Sequence, residues 1–198
     1  MYAQDFNLLD ISSITIGDGW RFYANVFDSE GGFKFPYFGD APNGTGNISS
    51  IVDDQGGVPQ APQQLSVFSC CGTSEGHFGT DKVEINVFEE RTVGIDDVGK
   101  TFVFAFDAKG GNIEPPTTAL AFIQTLDPTA GYSTSASDTV DTTNISKVAW
   151  GSFTLSITIP DGTFIGHILQ FGFRNTSSGF AGSSVYYDNT VVTKSPTP

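Results

Sequence analysis

Eight side chains share a chemistry without sharing a motif: Tyr23, Asn25, Gln64, Glu84, Asn86, Gln124, Gln170 and Arg174. Each stands out of step with a row of apolar residues. In an extended strand successive side chains point to opposite faces, so all eight are expected on the polar side of their strands. Amides, a carboxylate and a guanidinium offer donors and acceptors in fixed directions, which suits a row of sugar hydroxyls. Tyr23 and Phe68 add flat rings that can lie against a pyranose. Amides outnumber Lys and Glu in this set, whereas a merely solvated sheet face, the plainer reading, has no need of them. The expectation is a glycan-binding platform on one sheet.

Patterns for catalysis are weaker. The chain has two histidines, His77 and His167, and neither a Gly-x-Ser-x-Gly elbow nor a His-Glu-x-x-His run. Cys70 and Cys71 are neighbours, which allows a strained vicinal disulfide or two thiols, and no further cysteine sits at metal-ligand spacing. Glu84 and Glu90 share a face by alternation. They lie about 20 Å apart along an extended strand, too far for a glycosidase pair. The residues favour a binding protein over an enzyme.

The bulk composition narrows the partners. Nine Lys and Arg stand against 22 Asp and Glu, a net charge of −13. Such a surface repels phosphate backbones, so nucleic acid is not expected. It supplies carboxylates for a hard cation such as calcium, although solubility alone would account for it. The N-terminal residues have neither the basic nor the apolar region of a signal peptide. No apolar run approaches 18 residues, so membrane insertion is not expected. An extracellular, particle or cell-surface setting is the expectation.

The elements that must position these residues are strands. Trp20, Phe22, Ala24 and Val26 alternate with polar neighbours, as do Val83, Ile85 and Val87. The same is true of Phe102, Phe104 and Phe106; of Phe153, Leu155, Ile157 and Ile159; and of Leu169, Phe171 and Phe173. Eighteen Phe and 23 Gly suit many short strands and tight turns. About nine strands are expected, without helical periodicity. Residues 39–62 and 127–147 read as loops. Alternating strands in this number pack as two antiparallel sheets, an all-β sandwich. One domain over residues 1–193 and a flexible tail over 194–198 complete the reading.

Two segments carry a family likeness. The run Val98-Gly99-Lys100-Thr101-Phe102-Val103-Phe104-Ala105-Phe106-Asp107-Ala108-Lys109 and the closing run Val185-Tyr186-Tyr187-Asp188-Asn189-Thr190-Val191-Val192 resemble matching stretches of jelly-roll carbohydrate-binding modules, of the calcium-containing, galactose-binding-like type. The resemblance implies a jelly-roll topology, a polysaccharide ligand and a structural calcium held in part by Asp188. The family's usual opening segment is absent, and Asp5 and Asp10 stand only loosely in its place. A jelly roll hosts many functions. The first alternative is a structural surface or assembly protein, such as a virion decoration or fibre protein or an extracellular matrix subunit, acting as a homo-oligomer or within a larger assembly. The second is a polysaccharide-degrading enzyme.

Overall fold

The computed structural model describes residues 2–8, 19–42, 48–69, 80–178 and 181–196. Cys70, Cys71, His77 and Asp10 lie outside them. Among the described residues there are twelve strands and four single-turn 3-10 segments. The strands are β1 (Tyr2–Gln4), β2 (Arg21–Phe27), β3 (Phe33–Asp40), β4 (Ser49–Val52), β5 (Gln64–Ser69) and β6 (Lys82–Thr92). They continue as β7 (Lys100–Ile113), β8 (Thr118–Asp127), β9 (Ser133–Asp141), β10 (Gly151–Ile159), β11 (Ile168–Ser178) and β12 (Ser183–Pro196). No helix among the described residues is long and apolar enough to cross a membrane.

The strands form two antiparallel sheets. One runs β10-β7-β12-β5-β4, with β1 also on β12; the other runs β3-β2-β6-β11-β8-β9. The apolar rows read from the sequence meet between them: Ala24, Val83, Ile85, Val87, Leu169, Phe171 and Phe173 face Leu65, Val67, Phe104, Phe106, Leu155 and Tyr187, all buried. Phe173 stacks on Tyr187 across the sheets, ring centres 3.5 Å apart. The Tyr187 hydroxyl lies 3.1 Å from Thr142 Oγ1, and burial drives its phenol well above the usual tyrosine range. Polar pins also join the layers. Asn175 of β11 donates to the Val67 carbonyl of β5 at 3.0 Å, and Ser69 meets Ser177 at 3.0 Å.

Three strands were not expected: β1, β4 and β9. The last falls in the Ser/Thr/Asp-rich stretch read as loop. Among the described residues it is an edge strand paired only with β8, so its outward side chains stay wet and mainly Val140 packs on the core. The alternation that marks a half-buried strand is therefore muted. Asp138 of this strand also accepts from the Ser156 backbone N–H of the other sheet's edge strand at 2.8 Å, which blunts an exposed pairing edge. At the C-terminus Lys194, Ser195 and Pro196, expected as tail, continue β12 opposite Phe102, Thr101 and Lys100.

That extension has a purpose. Lys194 donates to Asp97 at 3.0 Å, while Arg91 pairs with the same carboxylate and the Gly94 N–H donates to it at 2.8 Å. Burial raises the Asp97 carboxyl's affinity for a proton, but Gly94, Lys194 and Arg91 together outweigh it and hold the group below the usual aspartate range. Asp97→Ala should lower stability at neutral pH by about 2 kcal/mol in urea unfolding. A depressed group stabilises above its unfolded value of about 4, so the deficit should shrink as pH falls below that. An equal deficit at pH 7 and pH 3 would contradict this.

Candidate functional site

The outer face of the β3-β2-β6-β11-β8-β9 sheet carries a cleft of about 910 Å³. Seven of the eight side chains singled out from the sequence line it: Tyr23, Asn25, Glu84, Asn86, Gln124, Gln170 and Arg174. Register explains the grouping. Phe38, Tyr23, Asn86 and Arg174 lie in one row across β3, β2, β6 and β11. Asn25 and Glu84 form the neighbouring row. Glu90, Gln170 and Gln124 form a third across β6, β11 and β8.

Hydrogen bonds hold these groups in set orientations. Asn25 and Asn86 both donate to Glu84 Oε1, at 3.3 and 3.4 Å. Arg174 Nε donates to Asn86 Oδ1 at 2.6 Å, and its guanidinium lies 5.5 Å from the centre of the Phe122 ring. Gln124 donates to Gln170 Oε1 at 3.0 Å, and Gln170 donates to Glu90 Oε2 at 2.8 Å. Asn25 and Gln124 are thus pinned through the amide nitrogen and keep their oxygens for a ligand, whereas Asn86 and Gln170 are held through both amide atoms and offer only their remaining N–H and lone pair. Pre-set donors and acceptors cost little ordering entropy when a ligand arrives.

The walls are aromatic. Tyr23 and Phe38 stand side by side, 11° from parallel with centres 6.3 Å apart, and Phe38 is 76% exposed. Tyr132, 63% exposed, lines the cleft from the β8–β9 turn. Sequence reasoning missed Arg21, Phe38, Asp40, Glu90 and Tyr132. Alternation alone places Arg21 with Tyr23 and Glu90 with Asn86, so those two were within reach. Phe38, Asp40 and Tyr132 arrive through strand pairing and a turn.

Gln64 does not belong to the cleft. It lies in β5 of the opposite sheet and is fully buried. Its amide donates to the Gln60 carbonyl, and its Oε1 accepts from the Gln55 N–H at 3.2 Å. Phe68 is on the same strand and is likewise separated from the cleft. Period two reports the face of a strand but not which sheet the strand joins.

Asp188 occupies a different corner. It sits in β12 opposite Asp107, where the register slips before Val191. At the slip Asn189 takes a left-handed φ of 49°, turning its amide onto Asp107 Oδ2 at 2.9 Å and the Pro59 carbonyl at 3.0 Å. Asp188 is fully buried. Its Oδ1 accepts from the Asn189 N–H at 2.6 Å, while Oδ2 is buried without a hydrogen-bond partner among the described residues. Burial, with the nearby charges of Asp5 and Asp107, pushes its carboxyl up to about 7, against the Asn189 N–H that favours the anion. Asp107 goes the other way: burial raises it, but Ser152, Asn189 and Gln60 donate to it and bring it below the usual range. Among the described residues no group of three or more His, Cys, Asp or Glu side chains converges on a metal position.

Neither a family-wide sequence pattern nor a curated protein matches the chain. Solved structures do match in shape. The apo form of a cyclase from Fischerella sp. has a TM-score of 0.54 at 15% identity, covering 96% of this chain and 91% of that one. The CBM22-1 xylan-binding domain of Paenibacillus barcinonensis Xyn10C has a TM-score of 0.51 at 12% identity, covering 96% and 91%. The enzymatically active domain of bacteriophage CBA120 tailspike protein 4 is looser, at 0.47 and 14% identity; 74% of this chain spans 18% of that one. At such identities the likeness is one of fold, and by fold this chain is a jelly-roll β-sandwich of the kind that xylan-binding modules and cyclases share.

Proposed function

We propose that this protein is a non-catalytic, carbohydrate-binding-module-like domain that holds a polysaccharide in the cleft of the β3-β2-β6-β11-β8-β9 sheet. One observation carries the reading. Amides, a guanidinium and carboxylates scattered over four strands of the sequence come together on one sheet face, already hydrogen-bonded into fixed directions and flanked by exposed rings. The fold shared with a xylan-binding domain supports it. A setting outside the cell or on a particle surface goes with such a ligand.

A structural calcium at Asp188 belongs to the same proposal. A buried carboxylate oxygen without a partner is the kind of group that a hard cation would satisfy. Asp188 would hold the ion, with Asp5 as a nearby source of a further oxygen ligand; Asp10, the other expected ligand, lies outside the described residues. The ion would supply charge compensation at a buried carboxylate and tie the first strand to the last.

The test is titration calorimetry against soluble xylan and mixed-linkage glucan, with and without calcium. Arg174→Ala removes the guanidinium and releases Asn86. It should weaken binding at least about tenfold, the cost of losing a charged donor and its partner's orientation, while the variant stays folded at the titration temperature with only a modestly lower unfolding midpoint. Binding by the variant equal to that of the parent would remove the cleft from the proposal. Activity screens on the same polysaccharides address the enzymatic reading: bond cleavage lost in Glu84→Gln would replace this proposal with a catalytic one.

A further inference from the structure

We infer that Tyr132 is the far stacking wall of the cleft, so that the ligand is an extended, linear pyranose chain lying across the strands rather than a terminal sugar. This rests on the glycan reading of the cleft and deepens it. Tyr132 has a left-handed φ of 61°, and the preceding Gly131 has a φ of 66°. Glycine adopts that conformation freely, but a bulky aromatic does not, and such outliers collect where a surface has a task. The chain also secures the turn. Asp127 Oδ1 accepts from the Thr129 N–H and hydroxyl at 2.8 and 2.7 Å, and the Asp127 carbonyl accepts from the Tyr132 N–H at 2.8 Å. The ring so presented is 63% exposed and lines the cleft.

The other wall, Tyr23 with Phe38, belongs to β2 and β3 at the opposite side of the sheet. From β2 to β8 and β9 is three to four strand spacings of about 4.8 Å, and Tyr132, beside the Asp127–Ser133 pair, lies about seven residues further along the strands than the row of Tyr23 and Leu120, so a ligand touching both walls must run diagonally and bridge roughly 25–30 Å. A monosaccharide or disaccharide does not. Between the walls lie the Asn86–Arg174 row and the Glu90–Gln170–Gln124 row, which meet the hydroxyls along such a chain.

Chain-length dependence tests this. Xylo- and cello-oligosaccharides from two to six units are titrated into the full chain and into Tyr132→Gly. For the parent, affinity in at least one series should climb beyond the disaccharide and level off only with the longer members. Glycine suits the left-handed position, so Tyr132→Gly should keep or raise the unfolding temperature, yet bind the hexamer about five- to tenfold more weakly and level off at shorter chains. A residue with only a structural role would not combine those two results. Parent binding that saturates at the disaccharide, or a variant with the parent's length profile, overturns the inference while leaving the glycan reading standing. No binding of either series, or of soluble xylan, by the parent overturns both.

Discussion

In the presence of a chelator, stability should fall as pH rises from about 4 to about 7, and calcium should restore it. The cause is Asp188. Its carboxyl titrates near 3.8 in an open chain and is pushed up to about 7 in the folded protein. A folded state that binds a proton more tightly than the unfolded chain is stabilised at low pH and loses that advantage as pH climbs through the raised value. At about 1.4 kcal/mol per pH unit, the loss amounts to at most about 4 kcal/mol, complete near pH 7. Asp97 and Asp107 are shifted downward and act with the opposite sign, but their window lies below about pH 4. A cation at Asp188 replaces the missing proton, so calcium should flatten the slope and raise the unfolding temperature most at pH 7 and above. Asp188→Asn should abolish both the slope and the calcium response. Urea melts at several pH values, with chelator or calcium, measure all of this. A parent protein whose stability rises across that pH range in chelator would refute the account of this carboxylate.

Gly172→Ala should cost at least about 3 kcal/mol, the upper part of the range for forcing extra atoms into a packed site. Gly172 lies in β11 between Phe88 of β6 and Phe122 of β8. A Cβ there would run into the Val87 carbonyl oxygen and stand 2.7 Å from Phe88 Cα. These are backbone atoms of the adjacent strand, so no rotamer change relieves the contact, and β6 and β11 must part. The same two strands carry Glu84, Asn86, Glu90, Gln170 and Arg174, so binding should fall together with stability. Denaturant unfolding gives the first effect and calorimetry below the melting range the second. A variant as stable as the parent would show that the sheet yields more readily than this geometry allows.

How much of this was legible beforehand differs from residue to residue. Asn25, Glu84, Asn86, Gln170 and Arg174 were placed on a polar face because Val26, Ile85, Val87, Phe171 and Phe173 beside them had to be buried, and the sheet honours each assignment. Gln64 obeyed the same alternation and still went elsewhere, inside the other sheet against Gln55 and Gln60. Strand β9 escaped notice because an edge strand with a wet outer face has little need of apolar residues.

By itself the sequence determined the all-β class, the inward and outward face of each major strand and the chemical character of the polar set. Those follow from local covalent geometry, which turns every second side chain the same way. Only the tertiary structure decided which strands became neighbours, and with that the pairing of Phe38 with Tyr23, the approach of Tyr132 from a distant turn and the burial of Asp188 beside Asp107. Strand order depends on hydrogen bonds between backbones far apart in the chain, and backbones of every sequence offer the same donors and acceptors.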